Sequence, residues 1–353
     1  MPKNNEYSLE PAQISALGPT DDPSNSTTTI LSGQASRYGL NLREKRRKIE
    51  EKTKSPQSKI MALSEAVEQF VKVGCHVAIG GCLYSRTPTA AIHEIIRQKI
   101  GNLEVSRSLT GMEADLLLGA GLLRKVVTSW WSVGYAWGIS KAMRSAVEQQ
   151  LVAFEEWSHL ALGLRYRAAA MGTSFLPTLS MLGSDLEKTN GLRTMTCPYS
   201  SEKMLLVPAL YPDVGLIHAQ MADKAGNVHI DGYEFMDQDI TRASERVIVT
   251  VERIVDSKTF RKQPDLTTIP FFCVDAIVKV PNGSYPSECW GLYEADFDHF
   301  AKFADRITTK GIAGSKEYND EFVYGTASFR NFLAKIGQRR LAKLRGNMRN
   351  VLK

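Results

Sequence analysis

The sequence has 353 residues, 43% of them apolar and 23% charged, enough to build a sizeable core and to exclude general disorder. Its longest apolar stretches, such as 116–123 and 247–251, fall well short of the roughly 18 residues that a membrane span requires. Net charge is +6, but residues 43–54 carry +4 and residues 335–353 carry +7, leaving −5 elsewhere. Basic charge confined to two ends, without interleaved aromatics, is the pattern of terminal helices and argues against nucleic-acid binding.

Residues 1–42, centred on "PTDDPSNSTTT", have no helical or strand period and read as a flexible leader. They lack an apolar h-region, and the first 36 contain no arginine, which argues against secretory and mitochondrial presequences. Cys75, Cys82, Cys197, Cys273 and Cys289 are odd in number and form no CxxC pair, a pattern suited to a reducing cytoplasm.

A charged helical lead-in is expected over 43–60, and a folded domain over 61–333. The domain opens on a helix with Leu63, Ala66, Val67, Phe70 and Val71 on one face and Ser64 as N-cap. "HVAIGG" then reads as a buried strand, "PTAAIHEIIRQ" as a helix, "LEVSRSL" and "KVVTSWW" as strands, and "SKAMRSAVEQQ" as a helix. Further strands are expected at 214–222, 246–251 and 271–280, with "DKAGNVHIDG" as a hairpin or loop. A basic helix over 334–353 closes the chain. Such alternation predicts an α/β fold, an open and mainly parallel sheet flanked by helices.

Chemistry is expected first at residues 78–98, "AIGGCLYSRTPTAAIHEIIRQ". A strand ends in Gly80-Gly81, a loop carries Ser85 and Arg86, and Thr87-Pro88 supplies an N-cap and first turn. A carboxylate or phosphate fits there, because ligands of open α/β folds gather at strand carboxyl ends, where helix N-termini offer free N–H groups. The spacing is neither GxGxxG nor GxxxxGK[ST], so dinucleotide and P-loop chemistry are unsupported.

Glu113 and Asp115 follow a predicted strand and Gly111, where a carboxylate either caps a helix or serves as nucleophile or base. Glu155, Glu156, Ser158 and His159 sit at a strand-to-helix junction, with Ser158 as N-cap and Glu156/His159 as a candidate acid–base pair. No GxSxG elbow is present. The six histidines never form HxH or HxxxH, so no metal site is signalled. Trp130, Trp131, Tyr135 and Trp137 mark core or a subunit interface.

Taken in order, the segments "NLREKRRKIEEK", "GGCLYSRTPTAAIHEIIRQ", "DLLLGAG", "EEWSHLALGLRYRAAAMGTSFLPT", "SMLGSDL", "TCPYSSEKMLLVPALYPDVGLIHAQMADKAGNVHIDG" and "VIVTVERIV…IPFFCVDAIVKVPNGSYP" make the chain, from about Leu42 to Leu333, resemble the A (alpha) subunit of the two-subunit family I coenzyme A transferases, of the glutaconate CoA-transferase type. The resemblance implies an A/B hetero-oligomer that exchanges CoA between an acyl-CoA donor and a carboxylic acid acceptor by ping-pong chemistry. CoA thioester enters as substrate, with no permanently bound cofactor. The family's nucleophilic glutamate belongs to the B subunit, in a Ser-Glu-Asn-Gly-like motif that is absent here.

The resemblance thus implies no catalytic residue in this chain, with Glu113 and Glu156 as runners-up. Gly80, Gly81, Ser85, Arg86, Ser184 and Asp185 are the expected substrate-binding wall. Other relatives of the A/B architecture are hydrolases that open a ring in steroid-type CoA thioesters, using a glutamate at the A chain's strand–helix junction, so the alternative reading is the A subunit of a ring-opening or thioester hydrolase. The corresponding junction here is "EEWSHLALGL", with His159 near that glutamate's position.

Overall fold

The protein's structure, a computed structural model, describes residues 42–351; the expected leader lies outside the described residues, apart from Leu42. Seven parallel strands form the central sheet: β1 (His76–Ile79), β2 (Leu103–Ser106), β4 (Leu123–Thr128), β7 (Ala153–Glu156), β11 (Val214–Asp223), β13 (Arg246–Val255) and β14 (Ala276–Lys279). Their order is β14-β13-β11-β1-β2-β4-β7, and β12 (Val228–His229) pairs antiparallel with the end of β11. The expected open, mainly parallel α/β sheet is therefore present.

The strands read as continuous apolar runs because both faces of the sheet are covered. Val77 and Ile79 face one core and Ala78 the other; Leu216 and Ile217, and Ile248 and Val249, divide in the same way. The first core is closed by α2 (Leu63–Phe70), α3 (Thr89–Arg97), α4 (Met112–Gly119), α5 (Lys141–Glu148), α10 (Phe297–Lys310) and α11 (Ile312–Tyr318). The second is closed by α6 (His159–Met171), α8 (Asp237–Ala243) and a small antiparallel sheet of β8 (Phe175–Thr178), β10 (Lys203–Pro208) and β9 (Arg193–Thr196). Two further pieces, β5 (Trp130–Gly134) and β6 (Gly138–Ile139), join β3 (Leu109–Thr110) in a third sheet.

Caps locate several helix starts. Ser140 accepts from Met143 N at 3.2 Å, and Ser158 accepts from Ala161 N at 3.1 Å, as N-caps of α5 and α6. Two expected caps differ. Ser64 lies inside the first turn of α2, whose N-cap is Ala62. Helix α3 begins at Thr89 with Pro88 as N-cap, because Thr87 Oγ1 is engaged elsewhere, donating to Leu83 O and accepting from Arg107. The strand expected over 271–280 is confined to Ala276–Lys279; Phe271–Cys273 forms a 3₁₀ turn after Pro270. "KVVTSWW" is two strands, split at Ser129, where the chain leaves the central sheet for the third one.

The basic ends are held by acidic partners. In α1 (Leu42–Glu50), Lys45 Nζ lies 3.1 Å from Asp213 and 2.7 Å from Glu245. Lys52, just beyond it, is buried 3.3 Å from Asp275. Near the other end, α12 (Phe329–Ile336) leads into α13 (Gln338–Val351), whose Arg340 grips Asp296 and Asp298 at 2.5 and 2.6 Å. Part of the positive charge is thus spent inside the molecule.

Helix α4 is buried from Met112 to Leu118, yet carries Glu113 and Asp115 in its first turn. Asp115 Oδ1 accepts from Trp131 Nε1 at 3.1 Å and Ser140 Oγ at 2.8 Å, tying α4 to β5 and α5, while Oδ2 has no partner. Burial pushes this carboxyl up to about 7. The folded chain therefore holds a proton between about pH 4 and 7 that the unfolded chain has released, so this group's contribution to stability declines as pH rises through that window. Asp115→Asn, which keeps the acceptor, is expected to flatten the fall in melting temperature between pH 4 and 8 and to raise stability at pH 8. An unchanged pH profile would show that Asp115 is not the group responsible.

Candidate functional site

The sheet order reverses at β1: the chain proceeds to β2 on one side, and β11 lies on the other. This is the switch point of an open α/β sheet, where strand carboxyl ends leave a crevice. A cavity of about 140 Å³ sits there. Its floor is Ile79, Gly81 and Cys82 from β1 and the following turn; Ser108 and His159 close one side, and Phe235, Met236 and Ile240 the other. A larger groove of about 370 Å³, flanked by Lys59, Arg246 and Asp275, lies at the opposite edge, where β13 and β14 begin.

Gly80 and Gly81 occupy the turn for steric reasons. A Cβ on Gly80 would lie 2.5 Å from Ile217 Cδ1 and 2.7 Å from Asp237 Oδ1. Gly81 has φ +65°, and a Cβ there would collide with Ser85 O. The sequence pointed to an anion at this turn, and the structure supplies one from within the chain. Asp237 Oδ1 accepts from Gly81 N at 2.7 Å, and its Oδ2 lies 2.5 Å from Arg86 Nη1.

Both ionic side chains are fully buried. Arg86 also donates to His218 O at 3.1 Å and Tyr233 O at 2.5 Å, and its guanidinium stands 5.7 Å from the Phe235 ring centre. Expected to meet a substrate anion, Arg86 instead clamps the β1 turn to β11, to the 233–235 loop and to α8, and presents no exposed surface. Ser85 is half-buried; its backbone pairs with Cys82, and its hydroxyl lies against Glu288, whose carboxyl is raised by burial. Burial likewise raises the Cys82 thiol, keeping it protonated on the cavity floor.

The remaining carboxylates are disposed as follows. Glu113 is buried, with Oε1 2.7 Å from Arg107 Nη1 and accepting from Gly111 N at 2.8 Å. Arg107 also donates to Thr87 Oγ1 at 3.0 Å. Glu155 lies 2.7 Å from Arg165 and 2.6 Å from Lys125; burial opposes its ionisation, but the two cations prevail and hold the carboxyl at about 2. Glu156 is exposed at the end of β7, and it does not line the cavity. The structure therefore does not join Glu156 and His159 as a pair. Ser184 Oγ donates to Met181 O at 2.6 Å, and Asp185 opens the short α7 (Asp185–Thr189). Neither lines the cavity, although the same turn reaches the start of α6 through Ser180 and Met181.

His159 is the first residue of α6, and its Nδ1 lies 2.5 Å from Ser108 Oγ. Ser108, Ser129 and Met236 escaped the sequence reading. The signal that finds the two serines is topological: each lies just beyond the carboxyl end of a parallel strand, β2 or β4.

His218, Glu252 and Cys289 bring possible metal-ligating atoms within 4.8 Å of one another. Both His218 nitrogens are engaged, with Thr250 Oγ1 at 2.8 Å and Glu252 Oε1 at 2.9 Å. Burial opposes ionisation of Glu252, but hydrogen bonds from His218, Tyr293 and the Asn282 amide outweigh it and lower its pKa. Burial holds the Cys289 thiol well above the usual range, so this donor set is occupied by its own hydrogen bonds and fits a structural latch better than a metal site.

Comparison with known proteins matches residues 60–280 to the Coenzyme A transferase family model. The A chain of glutaconate CoA-transferase from Acidaminococcus fermentans is 32% identical over 82% of this chain and 95% of its own length. The crystal structure of that organism's glutaconate coenzyme A-transferase superposes with TM-score 0.77 over 81% of this chain and 95% of that one. The A chain of 3-oxoadipate CoA-transferase from Pseudomonas knackmussii is 36% identical, covering 80% of this chain and 99% of that one. An Archaeoglobus fulgidus protein is 38% identical over 83% of this chain, which spans only 66% of that relative's length.

The crowding at Gly80 generates a prediction. Gly80→Ala should displace Asp237 or Ile217 and cost about 1–3 kcal/mol in denaturant unfolding, the usual range for overpacking. Unfolding indistinguishable from the parent would mean that the approach of Asp237 does not need the missing Cβ.

Proposed function

The chain belongs to the coenzyme A transferase family, and from that premise we propose that it is the A subunit of a heteromeric enzyme that moves CoA from an acyl-CoA donor to a carboxylic acid acceptor. The observation that carries the reading is the state of the carboxylates around the cavity. Asp237 is bound to Arg86, Glu113 to Arg107, and Glu155 to Arg165 and Lys125. A nucleophilic carboxylate must be free to attack, so we assign it to a partner B subunit facing the carboxyl edge of this sheet.

The partner's glutamate attacks the thioester carbonyl and expels CoA thiolate, leaving an acyl-glutamyl anhydride. The thiolate returns to the glutamyl carbonyl, releases the donor's carboxylate and leaves a glutamyl-CoA thioester. The acceptor carboxylate repeats these two steps in reverse and departs as the new acyl-CoA, and covalent catalysis thus divides one difficult exchange into balanced steps. In this reading, Gly80, Gly81 and Ser85 form the wall behind the acyl group, and Arg86 acts through Asp237 to hold it. Ser184 and Asp185 are assigned to parts of the substrate lying beyond the cavity.

CoA thioester is then a passing substrate, and no permanently bound cofactor is assigned. No described helix is long and apolar enough to cross a membrane. Together with the five free cysteines, this supports a cytoplasmic assignment. The hydrolase alternative has less support, because the two transferase chains above are 32% and 36% identical, against 29% for the cholesterol ring-cleaving hydrolase IpdA subunit of Rhodococcus jostii, and Glu156 lies outside the cavity lining.

Co-expression with the B subunit followed by assay with acyl-CoA, with and without acetate or succinate, tests the reading. New acyl-CoA is expected only when the acceptor is present; acceptor-independent release of free CoA as the main product would make the protein a hydrolase. Borohydride reduction of the covalent intermediate should mark the partner, and Glu113→Gln in this chain should leave that labelling intact. Labelling of this chain that Glu113→Gln removes would place the nucleophile here.

A further inference from the structure

Three hydroxyl and imidazole groups at the cavity mouth form an ordered chain of donors and acceptors that the transferase chemistry leaves unused. The Ser129 hydroxyl donates to Ser108 O at 2.6 Å, so its proton is committed. Ser108 Oγ stands 3.5 Å from Ser129 Oγ and 2.5 Å from His159 Nδ1. His159 Nδ1 in turn lies 3.5 Å from Ser129 Oγ, so the nearest acceptor for the Ser108 proton is His159 Nδ1, a full ångström closer than Ser129 Oγ. In the neutral ring, an accepting Nδ1 leaves the proton on Nε2. Nε2 has no partner among the described residues, and His159 lines the cavity.

The other cavity walls offer no comparable donor. The Gly81 amide is taken by Asp237, the Cys82 thiol is only a weak donor, and Ile79, Phe235, Met236 and Ile240 are apolar. At about 140 Å³, the space is close to the roughly 150 Å³ apolar cavity that admits benzene. It accommodates a short acyl group, while the bulk of CoA must lie outside.

We infer that the Ser108–His159 pair is a specificity device: Ser108 fixes the imidazole so that its Nε2–H donates to a ketone or carboxylate oxygen that a short acyl group carries away from its thioester. This rests on the transferase reading above, for it takes the cavity as the acyl site. A plain alkanoyl chain fills the apolar part of the same space but offers Nε2–H no acceptor. Discrimination then arises at His159, separately from the chemical steps at the partner's glutamate. Ser108 is a positioning residue, acting through the ring it orients.

Two measurements test the inference. ¹⁵N NMR of the full chain, with His159 assigned by the signals lost in His159→Gln, should show a protonated Nε2 and a bare Nδ1; a protonated Nδ1 with a bare Nε2 overturns the donor geometry. Ser108→Ala should release that preference and leave a mixture of tautomers, and an unchanged tautomer would remove Ser108 from its role. In the reconstituted A/B complex, His159→Leu should lower kcat/KM about tenfold for acetoacetyl-CoA, the scale of one neutral hydrogen bond, and by more than about tenfold for glutaryl-CoA, whose carboxylate makes the bond charge-assisted, but less than about twofold for butyryl-CoA. Equal losses for all three substrates, or no loss, would overturn the assignment. A parent complex that turns over none of them would sink the transferase reading and the acyl class together, while the NMR result would still decide the tautomer.

Discussion

A guanidinium and a carboxylate sealed away from water at the switch point of the sheet set the geometry around them. Taking two ions out of water costs several kcal/mol each, and mutual attraction repays this only when the remaining hydrogen-bonding positions are filled. Here the Gly81 amide, His218 O and Tyr233 O fill most of them, and only the buried Arg86 Nε of this pair is left without a hydrogen-bond partner among the described residues. The two glycines follow from this constraint, since Gly80 leaves room for the carboxylate and Gly81 turns its N–H towards it. So does the placing of Phe235 and Met236, which precede Asp237 and form the apolar wall.

Arg107 and Glu113 repeat the motif on the far side of β1, binding the end of β2 to the first turn of α4 and, through Thr87, to the approach to α3. Two arginines on the loops that follow adjacent strands, each neutralised by an acid from another element, make a rigid and electrically quiet wall. Such a wall suits a two-chain enzyme. The reactive carboxylate can be brought by the partner, since no carboxylate among the described residues lines the cavity to compete with it.

Much of this was legible in the sequence. The buried strand "HVAIGG", the glycine turn and the Ser158 cap give themselves away by local pattern, because each is decided by residues a few positions apart. Parallel sheet and flanking helices follow from the alternation of periods. The role of Arg86 was not legible: its partner Asp237 is 151 residues away, and only the assembled sheet brings them together. A cation on a loop after a strand reads as a ligand contact until its counter-ion is known. Ser108 and Ser129 were missed because a serine after a strand is unremarkable until the sheet order shows which strand ends converge. The strand expected from Phe271 failed for a local reason: after Pro270 the backbone curls into a 3₁₀ turn that buries Cys273 and leaves Phe272 exposed.

The central question is whether Arg86 holds the wall or meets the substrate. A double-mutant cycle with Arg86→Met and Asp237→Leu, read by denaturant unfolding of the A/B complex, decides it. Each single change is expected to cost about 3–5 kcal/mol, because each strands a buried charge, and the double variant to recover much of the loss. An Arg86→Met variant as stable as the parent, impaired only in its KM for the carboxylate acceptor, would contradict that expectation.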